Sequence, residues 1–194
     1  MKDDFDKIVI EQSGIGYGIL DGNTTIFYIK TGNGGNIYGY NNKYLNIALK
    51  INVIYKFTVI VASNPININE ENNIINDLKF IDSHLVFNKI YGFGHSNGGV
   101  MFCNHAYKYD FIKGVISVNA PLNINLHKLK NGISNFKGDK IVCVYGNKDV
   151  SYKYIPLLYS IKKDNFKIIE IDGADHNFFN KLDEFIGLPE KYLL

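Results

Sequence analysis

The feature that most constrains the fold is a set of short apolar runs, rich in β-branched residues, at 24–29, 57–62, 89–93, 112–118, 140–145 and 166–171. Each is too short for a helix and is mostly apolar at both odd and even positions. That is how a strand reads when both faces of its sheet are covered. Between the runs lie helical stretches at 41–51, 70–87, 97–109, 126–136, 155–162 and 180–186. In the second of these, Ile74, Ile75, Leu78, Ile81 and Leu85 share one face, with Asn72, Asn73, Asn76 and Ser83 opposite, the pattern of an amphipathic helix. Strand and helix alternating in this way predict a three-layer α/β fold: a mostly parallel central sheet, right-handed crossovers and helices on both faces. Two further runs, 7–10 and 16–20, flank Ser13-Gly14 and predict a hairpin ahead of the parallel strands. Pro65, Pro121, Pro156 and Pro189 are expected beyond element ends or in a first helical turn.

No linker, repeat or low-complexity segment interrupts the pattern, so one domain over 1–194 is expected, large enough to bury a sizeable core. All 21 basic residues are lysine. Without arginine there is no planar fork for phosphate or guanine edges, and no basic run makes up for it, which argues against a nucleic-acid partner. The start, Met1-Lys2-Asp3-Asp4-Phe5-Asp6, is acidic where a secretory signal is basic and then apolar, and no apolar stretch is long enough to span a membrane. A soluble, cytoplasmic protein is expected. Cys103 and Cys143 fall in a helical stretch and a core strand, which suits buried, reduced thiols better than a disulfide.

Ligands of such sheets bind beyond the carboxyl ends of the strands, and three of those ends carry reactive residues. After 89–93 comes Gly94-His95-Ser96-Asn97-Gly98-Gly99, a G-x-S-x-G pentapeptide between a strand and an apolar helix. Its glycines remove the Cβ atoms that would clash in a strained turn, so the hydroxyl can stand exposed above the sheet. With 18 Gly and 8 Ser in the chain, about 0.07 such matches are expected by chance, so the strand and helix around it matter as much as the motif. The run 140–145 leads to Gly146-Asn147-Lys148-Asp149, and 166–171 leads to Asp172-Gly173-Ala174-Asp175-His176-Asn177-Phe178. A serine hydroxyl needs an imidazole to take its proton, and the imidazole needs a carboxylate to fix its tautomer. Ser96, His176 and Asp149 meet those needs, with Asp172 and Asp175 as alternative acids. His95 is read as support for the turn, and His84, His105 and His127 as ordinary surface or helix residues without metal-ligand spacing.

The order serine, aspartate, histidine, each on a loop after a separate strand, resembles that of α/β-hydrolases, and the chain is similar to bacterial members of the small esterase kind over nearly its whole length. The resemblance implies Ser96 as nucleophile, His176 as base and Asp149 as the orienting acid, with no cofactor or metal. It also implies an oxyanion hole from the backbone N–H groups of Asn97 and Asn33, the latter in Lys30-Thr31-Gly32-Asn33-Gly34-Gly35-Asn36, where Thr31 takes the place of the family's usual histidine. The same loop lacks the spacing of a phosphate-binding glycine motif. Only about 20 residues separate the strand end at Asn119-Ala120 from the next strand, too few for a large cap domain. A shallow site is therefore expected, walled by Leu122, Ile124 and Leu126 on one side and Tyr38, Tyr40 and Phe178 on the other. The expected activity is hydrolysis of small carboxylic esters or thioesters of short acyl chain. Acyl transfer or peptide hydrolysis by the same residues, or a binding protein that keeps the fold, are the alternatives.

Overall fold

The computed structural model describes residues 3–194. Eight strands form one sheet in the order β1-β2-β4-β3-β5-β6-β7-β8. Strands β3 (Asn23–Lys30), β4 (Phe57–Ala62), β5 (Lys89–His95), β6 (Ile112–Val118), β7 (Lys140–Gly146) and β8 (Phe166–Ile171) are parallel. The hairpin of β1 (Lys7–Ile10) and β2 (Gly16–Leu20) adds to the β4 edge antiparallel, turning at Gly14 with φ +83°.

The two-sided apolarity of the strands has a direct outcome in two cores. Helices α2 (Glu70–His84), α3 (Asn97–His105) and α4 (Leu126–Asn135) cover one face, burying Ile26, Tyr28, Ile60 and Cys143. Helices α1 (Lys43–Tyr55) and α5 (Leu182–Tyr192) cover the other, burying Phe27, Ile29, Val61 and Val144. Successive residues of one strand thus serve opposite layers. Only α4 lies between β6 and β7, and no cap domain is inserted there.

Some element ends depart from the sequence pattern. Helix α1 starts at Lys43 and not at 41, because Gly39, Asn41 and Asn42 have φ of +70°, +48° and +56°. The expected helix at 155–162 is a 3-10 stretch over Tyr152–Leu158. Pro189, expected past a helix end, lies inside α5, which forgoes there the one intrahelical bond a backbone amide would make. Both cysteines are free and buried, and the neighbouring Cys103 thiol, together with burial, pushes the Cys143 thiol upward. Among the described residues no helix is long and apolar enough to cross a membrane.

Candidate active site

Strand β5 runs straight into the turn that presents Ser96. The serine takes φ +54° and ψ −121°, a conformation few non-glycine residues adopt. Its amide is anchored to the Val118 carbonyl at 2.7 Å, and its carbonyl accepts the first amides of α3 from Gly99 and Val100. Two flanking glycines are sterically required. A Cβ on Gly94 would lie 2.4 Å from the Gly98 carbonyl oxygen, and one on Gly98 would lie 2.3 Å from the Lys30 carbonyl oxygen.

The loops after β7 and β8 bring the other two residues to this turn. His176 Nε2 lies 3.0 Å from Ser96 Oγ, and His176 Nδ1 bonds Asp149 Oδ2. The Asp149 side chain is fully buried, and its second oxygen accepts the Ser151 amide at 2.6 Å. A carboxylate can only accept, so Nδ1 carries a proton and Nε2 offers its lone pair to the serine hydroxyl. Asp172 instead accepts from Asn147 at 2.6 Å, and Asp175 caps its own loop by accepting the amides of Asn177 and Phe179. Neither bonds the imidazole. The arrangement can move a proton from hydroxyl to imidazole while the carboxylate holds the ring and stabilises its cation.

Asn119, which the sequence did not single out, and His95, read there as support for the turn, hold these loops in register. Asn119, at the end of β6, donates to the carbonyls of Asp175 and His176, both at 3.0 Å, and accepts the Gly146 amide at 2.9 Å. One buried amide therefore ties the histidine loop to the strand that leads to Asp149. His95 donates from Nε2 to the His176 carbonyl at 2.8 Å, because a carbonyl only accepts, and its Nδ1 therefore accepts a hydrogen bond from the Tyr44 hydroxyl at 2.8 Å. Burial pushes the His95 imidazole well below its usual range, which keeps it neutral.

The glycine-rich loop after β3 is fixed from beneath. Asn64 accepts the Gly34 amide at 2.7 Å through its carbonyl and donates its own amide to Gly35 at 3.0 Å. Its side chain donates to the Thr31 carbonyl at 3.0 Å and to Asn97 Oδ1 at 3.1 Å, and accepts from Asn73 at 2.7 Å. Asn73 leads to Lys30, whose ammonium meets Asn73 Oδ1 at 2.6 Å, the Ser63 carbonyl at 2.7 Å and Asp77 at 2.7 Å. Burial pulls the Lys30 ammonium down, and the Asp77 carboxylate opposes it. Three donors meet three acceptors, as a buried ammonium requires. Tyr17 and Tyr28 complete the cluster by donating to Asp77. Thr31, fully buried, closes the loop by donating to the Gly35 carbonyl at 3.1 Å. With the Gly34 and Gly35 amides engaged, the Asn33 amide is left unbonded among the described residues. Asn97, at the first position of α3, has no intrahelical acceptor for its own.

In front of Ser96 lies a cleft of about 440 Å³, lined by Gly32, Asn33, Tyr40, Lys43, His176 and Phe179 among others. The expected walls are only partly those observed. Tyr40 is on the cleft, half exposed, with its ring edge-on to Phe179 at 4.7 Å between centroids. Phe178 takes φ +59° and is turned into the core against Phe185, so the wall residue from this loop is Phe179. Leu122 is buried under α4 and does not reach the cleft. Tyr38 packs on Phe5 and bonds Asp4 at 3.4 Å outside it. His105, read as unremarkable, is buried and bonds Glu70 at 3.1 Å, away from this site. Among the described residues no group of three or more His, Cys, Asp or Glu side chains is placed to hold a metal.

No protein-family model matches the chain, and no curated protein matches it in sequence. Solved structures match it in shape. Est1E from Butyrivibrio proteoclasticus superposes with a TM-score of 0.79 at 14% identity, over 95% of this chain and 96% of the other. An alpha-beta serine hydrolase homologue from Coxiella burnetii gives 0.76 at 16% identity over 100% of both chains. A serine hydrolase without a lid from Xanthomonas campestris gives 0.73 at 11% identity, over 98% of this chain and 94% of that one. The likeness is one of fold: this chain has the α/β-hydrolase fold.

Proposed function

We propose that the protein is a serine hydrolase cleaving small carboxylic esters or thioesters of short acyl chain through an acyl-enzyme on Ser96. The observation that carries this reading is the unbroken line of hydrogen bonds from the Ser96 hydroxyl through the His176 imidazole to the buried Asp149 carboxylate. In this reading Ser96 Oγ attacks the carbonyl carbon as its proton passes to His176 Nε2, and the carbonyl electron pair moves onto oxygen. The amides of Asn33 and Asn97 receive that oxyanion, supported by their lack of a partner of their own. Collapse expels the alcohol or thiol, which takes the proton back from His176. Water then repeats the sequence on the acyl group and releases the acid. No cofactor or metal takes part. The neighbours in fold include an esterase domain from Rhodothermus marinus, and Est1E has been solved with ferulic acid, itself a carboxylic acid, bound.

The test is a fluorophosphonate probe read by intact mass, alongside turnover of p-nitrophenyl acetate. One adduct is expected on the native chain and none on Ser96→Ala, whose turnover should fall by on the order of 10⁶. A native chain that takes up no probe and hydrolyses no activated ester refutes the reading.

A further inference from the structure

Lys43 opens α1 and lines the cleft in front of Ser96, yet is only 2% exposed. Its ammonium makes one hydrogen bond, to the Asn177 carbonyl at 3.2 Å. Otherwise it faces the rings of Phe185 and Tyr44, with centroids at 4.6 and 5.3 Å. Among the described residues no carboxylate pairs with it. Asp175, on the histidine loop, attracts it from beyond ion-pair distance, with its Oδ1 accepting the Asn177 and Phe179 amides. The other titratable groups around it are His95 from the elbow, held neutral by burial, His176 from the histidine loop and Tyr44 from its own helix. α5 contributes the Phe185 ring.

The backbone makes the position worse for a cation. Lys43 sits in the first turn of a 13-residue helix that has no acidic residue there, so the positive end of the helix dipole is uncompensated at the same spot. The contrast with Lys30 is instructive: both lysines are buried, but Lys30 has three acceptors including a carboxylate, and Lys43 has one carbonyl. A buried, unpaired charge is among the costliest groups a fold can hold, and an apolar side chain would pack here without that cost. What the position lacks, an anion in direct contact with the ammonium, is what a ligand in the cleft can bring.

We infer that Lys43 is the recognition point for a carboxylate carried by the substrate. The site then prefers esters bearing a negative charge a few atoms from the scissile carbonyl over neutral esters of the same size. This rests on the hydrolase reading above. Burial pushes the Lys43 ammonium down to about 8, so recognition weakens as pH rises through that value.

Two matched substrate pairs read this out. One is mono-p-nitrophenyl adipate against p-nitrophenyl hexanoate, with the charge on the acyl side. The other is 4-acetoxybenzoate against its methyl ester, with the charge on the leaving group. In at least one pair the wild type should favour the anion in kcat/KM. Lys43→Met should cut that preference about tenfold or more, as expected for loss of a charge-assisted bond, and Lys43→Arg should retain much of it. Binding of adipate to the wild type, followed by calorimetry, should weaken between about pH 7 and pH 9, a readout that needs neither a variant nor turnover. Pair ratios equal in wild type and Lys43→Met, or adipate binding that is absent or independent of pH, overturn the assignment. An enzyme that takes up the fluorophosphonate but treats both pairs alike loses only the Lys43 inference. One that binds adipate but takes up no probe loses the hydrolase reading.

Discussion

Replacing Ser96 by glycine should make the protein more stable than replacing it by alanine. Both changes delete the hydroxyl and its bond to His176, so that loss cancels between them. What differs is the backbone: at φ +54° and ψ −121° a residue with a Cβ carries strain of about 1–3 kcal/mol. Glycine relieves it but gives back about 0.5–1 kcal/mol through the greater freedom of its unfolded chain. The net gain is about 1 kcal/mol, which for a chain of this length raises Tm by roughly 2–4 °C. Thermal melts and urea titrations of the two inactive variants, run side by side, measure the difference. If Ser96→Gly melts below Ser96→Ala, the turn is not strained, and the idea that the fold stores energy to hold this hydroxyl out of the sheet is wrong.

Asp149→Asn should lose about 10²–10⁴ in turnover, because the ring would be held in the wrong tautomer, with far smaller losses at Asp172→Asn and Asp175→Asn; steady-state rates on one activated ester rank the three. With only α4 between β6 and β7, kcat/KM for p-nitrophenyl esters should peak between about C2 and C6, since further methylenes stay in water and gain little of the ~0.8 kcal/mol that burial gives each; a steady climb to about C12 would contradict this. Lys43 is held down to about 8 in the folded protein against an ordinary value of 10.5. The folded state therefore bears the cost of a buried cation fully below about pH 8, and sheds it as pH rises toward the unfolded value. Lys43→Met should accordingly be more stable than wild type at pH 7, by on the order of 2 kcal/mol, and the gap should narrow by pH 10 in denaturant titrations.

Much of this was legible in the sequence because it is encoded locally. A short strand apolar on both faces, such as Phe57–Ala62, has few uses other than the middle of a covered sheet, and the glycine at 94 before Ser96 answers to a contact with Gly98, four residues on. What stayed hidden depends on long-range partners or on single dihedrals. The chain is rich in asparagine, and nothing in its pattern separates Asn64 and Asn119, which hold the loops, from those that decorate helices. Their roles rest on side-chain bonds to backbone groups 27 to 57 residues away. The choice of Phe179 over Phe178 as the wall turns on one left-handed φ, which a run of two phenylalanines does not announce. The delayed start of α1 has the same cause, and it is what sets Lys43 against the cleft.

The chain of contacts from Asp77 through Lys30, Asn73 and Asn64 to the glycine-rich loop has a consequence for how such a protein can diverge. Each member satisfies its neighbour's buried donors or acceptors, so a single substitution anywhere along it strands a polar group and shifts the loop beside Ser96. The aromatic rim is under no such constraint: Tyr40 and Phe179 are half exposed and meet chiefly each other. Drift in sequence is thereby channelled to the entrance, where it alters which molecules are admitted, while the machinery behind it can change only by several concerted replacements.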